Sequence, residues 1–149
     1  MWRLLDFGIS ARVGERVPAR CTPAYAAPEV LRAADVAVVA TAAADVWALG
    51  VIAYEALTHA RAFPPGRRSA EVFAAAAGRR PYPWELAEGN LPRMWRRSRL
   101  RNIAEACLAR EAARRPTAQC VVDAMQLMGS AAAFEGDTGD DSSSALAPA

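Results

Sequence analysis

The 149 residues predict a mainly α-helical fold with a residual short β-strand at the N-terminus. Thirty-six of them are Ala, so the 53% hydrophobic content is largely small, helix-favouring side chains. Apolar residues recur at the helical period in residues 44–58, 100–108 and 121–128. Only residues 2–5 read as a strand, a brief apolar run closed by the turn-forming Asp6-Phe7-Gly8.

Residues 9–27 hold no steady period and contain Gly14, Pro18 and Pro23, which predicts an ordered loop. Pro28 suits the first position of a short helix carrying Val30 and Leu31. An Ala/Val-rich stretch without clear limits follows. Residues 44–58 make the strongest helix: Val46, Trp47, Leu49, Val51, Ile52, Tyr54 and Leu57 cover nearly every direction around its axis. A helix apolar all round belongs inside a core, walled by other helices. Pro64-Pro65-Gly66 breaks the chain, and residues 70–77 predict a small Ala-rich helix closed by Gly78. Pro81, Pro83, Gly89 and Pro92 mark an irregular connection. Leu100, Ile103, Ala104, Cys107 and Leu108 then give one amphipathic face. Thr117 is placed to cap a last helix whose apolar face is Val121, Ala124, Met125 and Met128. From Gly129 onward Ser, Asp, Gly and Ala dominate and predict disorder, dividing the chain into a folded unit, 1–128, and an acidic, Ser-containing tail, 129–149.

The charges exclude several chemistries. All 18 basic residues are Arg and the one His is His59, so no mechanism within this sequence uses a Lys or a pair of histidines. The net charge of +2 combines −4 in residues 129–149 with +6 in the rest, a balance that does not by itself imply nucleic acid. Arg93, Arg96, Arg97, Arg99 and Arg101 cluster with Trp95 as the one aromatic, which reads as a solvated face, and no nucleic-acid partner is expected. Cys21, Cys107 and Cys120 lack both zinc-ligand spacing and the pattern of a disulfide framework. Asp6 interrupts any signal-peptide core, and Asp45 sits in the most apolar stretch, where a charge costs roughly 2.5–3.5 kcal/mol to insert. A cytoplasmic protein without a membrane segment is expected.

Four motifs stand in fixed order: Asp6-Phe7-Gly8, Thr22-Pro23-Ala24-Tyr25-Ala26-Ala27-Pro28-Glu29, Asp45-Val46-Trp47-Ala48-Leu49-Gly50 and Arg115-Pro116-Thr117. Together they resemble the helical C-terminal lobe of a eukaryotic-type protein kinase across residues 2–128. Cys21-Thr22-Pro23-Ala24-Tyr25 looks like the Gly-Thr-x-x-Tyr loop of the Ser/Thr kinases, with Cys21 in place of a glycine that adopts positive φ freely. By that resemblance Asp6 offers carboxylate oxygen to Mg²⁺ on ATP, Phe7 packs beneath it and Gly8 lets the loop swing. Thr22 and Pro23 shape the pocket for the residue after the phosphorylated Ser or Thr of a protein substrate. Glu29 pairs with Arg115, and Asp45 opens the central helix and accepts hydrogen bonds from the catalytic loop. The competing readings are a turn residue for Asp6, solvated charges for Glu29 and Arg115, and a dipole-favoured helix acid for Asp45. Between Gly8 and Glu29 the hydroxyls are Ser10, Thr22 and Tyr25, so no activation-loop phosphorylation switch is expected.

Parts that phosphoryl transfer needs are not in the sequence: no Gly-rich phosphate loop, no Lys, and no His-Arg-Asp ahead of Asp6. The expectation is therefore a Ser/Thr kinase domain fragment, inactive alone, for which the family implies ATP and Mg²⁺. A non-catalytic, pseudokinase-like module that binds a kinase partner or substrate is the alternative, and an unrelated helical interaction domain is the third reading. Large apolar side chains left wet forfeit roughly 1.5–3 kcal/mol each, comparable to a domain's stability of about 5–15 kcal/mol, so a marginal fold is also expected.

Overall fold

A computed structural model describes Arg3 and residues 5–33, 37–63 and 98–135, with side chains described as far as Met128. Its elements in chain order are strand β1 (Arg16–Pro18), a 3-10 turn (Pro23–Tyr25), helix α1 (Pro28–Arg32), strand β2 (Ala37–Val39) and helix α2 (Ala42–Thr58). Helix α3 (Arg99–Cys107), a second 3-10 turn (Ala112–Arg114) and helix α4 (Ala118–Glu135) complete them.

The two strands are antiparallel, pairing Arg16 with Val39, Val17 with Val38 and Pro18 with Ala37. Gly14, at φ 90°, turns the chain into β1. Its N–H donates to the Ala40 carbonyl at 2.9 Å, while the Ala40 N–H returns to the Glu15 carbonyl at 2.8 Å. Pro18 ends an edge strand, where its missing N–H breaks no longer ladder. This sheet lies inside the stretch expected to be loop and in the Ala/Val-rich run. Three-residue strands are too short to show an alternating pattern. The strand expected over residues 2–5 is not there in its described members: Arg3 and Leu5 belong to no strand, and Trp2 and Leu4 lie outside the described residues.

Pro28 takes the first position of α1, as expected. Helix α2 starts two residues earlier than the periodicity placed it and ends at His59, a left-handed cap at φ 53°. Its inward face is Val46, Trp47, Gly50, Val51, Tyr54 and Leu57. Leu49 and Ile52 are 40% and 55% exposed, so the helix is not walled on every side as its composition implied. Ser98 Oγ caps α3 by accepting from the Arg101 N–H at 3.1 Å. Thr117 Oγ1 caps α4, accepting from the Cys120 N–H at 3.2 Å. Of the expected α4 face, Val121 is buried, Ala124 and Met128 half-buried and Met125 exposed. The helix runs on to Glu135, past the expected boundary at 128. No helix of the described residues is long and apolar enough to cross a membrane. The predicted helix at 70–77, the connection at 64–66 and 81–92, the Arg cluster from 93 to 97 and the tail from 136 lie outside the described residues.

One core cluster joins Ala26, Ala27 and Leu31 of the segment before α2 to Trp47, Val51, Tyr54 and Leu57 of α2, with Ala104 and Leu108 from the α3 end. Val46, Cys107 and Val121 form a second. Burial raises the Cys107 thiol above its usual range, so it behaves as a small apolar side chain. Between the clusters, α2 meets α3 at Gly50. A Cβ built there stands 2.8 Å from Cys107 Cβ and 3.0 Å from Leu108 Cγ.

That approach predicts the effect of Gly50→Ala. Helix propensity alone favours Ala by about 1 kcal/mol, but a Cβ in a filled site costs about 1–3 kcal/mol. The urea midpoint should fall. Adding Cys107→Ala should not restore it, because the opposing Cβ remains. A midpoint raised by Gly50→Ala contradicts this packing.

Candidate functional site

Of the residues singled out in the sequence, those nearest the N-terminus stand in the open. Asp6 is exposed and left-handed at φ 66°, a conformation that a short polar side chain tolerates. Its Oδ1 accepts from the Gly8 N–H at 3.1 Å, closing a local turn. Phe7 does not pack beneath Asp6 as expected; it is 68% exposed and belongs to neither core cluster of the described residues. Cys21 does not require a glycine's freedom, because among the described non-glycine residues only Asp6 and His59 have positive φ.

Thr22 and Pro23 are exposed at the start of the first 3-10 turn, where the Tyr25 N–H donates to the Thr22 carbonyl at 2.9 Å. Pro23 fixes the first position of the turn. Asp45 is exposed in the first turn of α2, favoured there by the helix dipole. The groove between the strand pair, this 3-10 turn and the start of α2 has a volume of about 780 Å³; Val17, Cys21, Thr22, Tyr25, Val38 and Asp45 are among its walls.

Two polar links hold the turn to the helical core. The first lies just after it. Arg115, its side chain fully buried, sends Nη1 to Glu29 Oε1 and Nη2 to Glu29 Oε2, each at 2.7 Å. Nη1 also donates to the Ala43 carbonyl at 2.8 Å, Nε to the Ala109 carbonyl at 2.8 Å, and Nη2 to the Arg110 carbonyl at 3.3 Å. All five N–H donors of the guanidinium are thereby used. Its carbon sits 5.1 Å from the centre of the Trp47 ring, within cation–π range. Burial alone would raise the Glu29 carboxyl. The hydrogen bonds from Arg115 and the Glu29 backbone, with the charges of Arg115 and Arg32, outweigh it and hold the carboxyl below its usual 4.5.

The second link was not singled out in the sequence. Tyr25 Oη donates to Glu55 Oε2 at 3.1 Å and accepts from Arg61 Nη1 at 3.3 Å. Glu55 Oε1 accepts from the Ala62 N–H at 3.3 Å. The signal for it was present: Glu55 is a carboxylate in the otherwise apolar second half of α2.

Asp6 is the candidate ligand for Mg²⁺, an ion that takes near-octahedral oxygen coordination. Among the described residues no group of three or more His, Cys, Asp or Glu gathers to hold a metal. A single exposed carboxylate does not make a resident metal–nucleotide site among the described residues. The family model described as "Protein kinase domain" matches residues 1–126.

The Glu29–Arg115 pair predicts a large and asymmetric mutational response. Glu29→Ala should cost about 3–5 kcal/mol, because it leaves a buried guanidinium unneutralised. Arg115→Lys should not rescue the fold, since an ammonium cannot reproduce a five-donor fork. Because the Glu29 carboxyl titrates lower in the folded chain, its stabilisation is complete above about 4.5 and is lost as pH falls through that lower value. Urea unfolding of wild type and Glu29→Gln at several pH values checks this: the variant should be less stable at neutral pH, and the gap should narrow in acid.

Proposed function

The chain belongs to the protein kinase family, and from that premise we propose that it carries the helical, substrate-facing part of a serine/threonine kinase domain and does not transfer phosphate on its own. The observation that carries the reading is the turn at 22–25, held by Glu55 through Tyr25 and followed four residues later by the Glu29–Arg115 fork. A turn fixed on both sides presents Thr22 and Pro23 in one geometry to an incoming chain, which lowers the ordering cost of binding.

The Thr-Pro-Ala-Tyr order in that turn supports Ser/Thr over Tyr as the acceptor class. The family uses ATP and Mg²⁺, which supply the phosphoryl group and neutralise its charge. In this sequence Asp6 is the residue that would face the metal, and no Lys is present to hold the α- and β-phosphates. A protein substrate or a kinase partner is the proposed ligand of the turn. The three cysteines are free, in keeping with a reducing, cytoplasmic setting. A second reading, a pseudokinase-like interaction module, is favoured by the lone carboxylate of Asp6 and uses the same gripping surface.

A radiolabelled-ATP assay on the pure chain with a generic Ser/Thr protein substrate tests the proposal. Transfer should stay at the level of a protein-free blank, and Asp6→Asn should change nothing. Turnover above the blank that disappears in Asp6→Asn overturns it.

A further inference from the structure

The hydrogen bonds of the small sheet fix which backbone groups point away from it. The Ala40 N–H donates to the Glu15 carbonyl at 2.8 Å, and in an antiparallel ladder bonded and unbonded pairs alternate. Arg16–Val39 and Pro18–Ala37 are therefore pairs without mutual bonds, and Val17–Val38 is the bonded pair between them. The backbone groups of Arg16 and Pro18 face outward on one edge, and those of Ala37 and Val39 on the other. The edges are not alike. On the β1 edge Pro18 has no N–H to give, its carbonyl accepts from the Arg20 N–H at 2.7 Å, and Arg16 adds a charge. On the β2 edge Ala37 and Val39 are exposed, and among the described residues their outward groups meet no partner. Residues 36–41, Val-Ala-Val-Val-Ala-Thr, hold no charge, Pro or Gly to protect it.

We infer that this open edge is a dimerisation surface, and that its occupant is β2 of a second copy of the chain, paired antiparallel about a two-fold axis at Val38. The alternation makes the edge its own complement. With the axis at Val38, Ala37 of each copy stands opposite Val39 of the other, and every outward N–H meets an outward C=O. The half-buried Val38 side chains, on the groove wall, then face each other as an unbonded pair, where β-branched side chains lie closest. A second copy supplies a strand of the same length and sets no like charge against this one. The assembly closes at the dimer: both β2 edges are used, and the outer edges that remain are those that Arg16 and Pro18 protect. Strands of three residues make a small contact, so the dimer forms in a concentration-dependent equilibrium.

Sedimentation velocity of the full chain over a wide concentration range tests it, in reducing buffer because Cys21 and Cys120 are free and exposed. The weight-average sedimentation coefficient should rise with concentration towards that of a dimer and not beyond it. Val39→Pro removes an outward N–H and no bond to β1, so it should weaken self-association about tenfold with circular dichroism unchanged. Val39→Thr, which keeps both the N–H and the branched Cβ, should not weaken it. Ala37→Lys places a charge on the edge and should abolish the dimer as well. Phe7→Ser, on the exposed N-terminal segment, should leave it intact. A chain that stays monomeric throughout, growth beyond a dimer, a dimer that survives both Val39→Pro and Ala37→Lys, or one that is lost in Phe7→Ser overturns the inference.

Discussion

Arg115 is a charge removed from water and satisfied on every donor, and the segment before α2 is joined to the helical core through it. Glu29 takes the two parallel bonds of the fork, and the carbonyls of Ala43, Ala109 and Arg110 take the rest. The cost of desolvating a guanidinium is large, so such a site is stable only when its geometry is complete. That condition gives the contact its specificity. One side chain ties α1, the start of α2 and the loop before α4 to a single arrangement, and the face of Trp47 closes it from below.

The residues just before the clasp pack into the main core, and the apolar residues of the N-terminal segment do not. Ala26, Ala27 and Leu31 pack into the main core, and Tyr25 reaches Glu55 from the same side. Upstream, Leu5, Phe7, Ile9 and Val13 are all more than 60% exposed, with values of 83%, 68%, 66% and 76%. The turn at 22–25 is thus built on a packed floor, while Asp6 stands on a local turn of its own. Among the described residues no metal-holding group of carboxylates, His or Cys gathers with Asp6, and one open carboxylate does not make a metal site.

Helices α2 and α3 were legible because their apolar residues run through several turns, long enough for the period to rise above chance. Pro28 at the first position of α1 and the caps Ser98 and Thr117 act through local chemistry, which sequence shows directly for Pro28 and Thr117. Strands β1 and β2 were not legible, since their pairing depends on a partner about twenty residues away and each carries only three residues. The exposure of Ile52 and Phe7 was misjudged for a related reason: composition shows that a side chain is apolar but not whether a neighbour arrives to cover it. Glu29 and Arg115 are 86 residues apart, so no local rule joins them, and the resemblance of the motifs was the one guide to the pair. The Tyr25–Glu55–Arg61 link went unread, although a carboxylate inside an apolar helix is a physical anomaly that asks for a partner.

The most direct measurement of this account is native-state hydrogen exchange at the amides of Val30, Leu31 and Ala33, which donate within and just after α1. A five-residue helix cannot persist by itself. If the guanidinium clasp welds it to the core, these amides open only with α2, and their exchange free energies match those at Val51 and Tyr54. Fast exchange at α1 while α2 remains protected would show a segment that frays independently, and would contradict the central role given to Arg115.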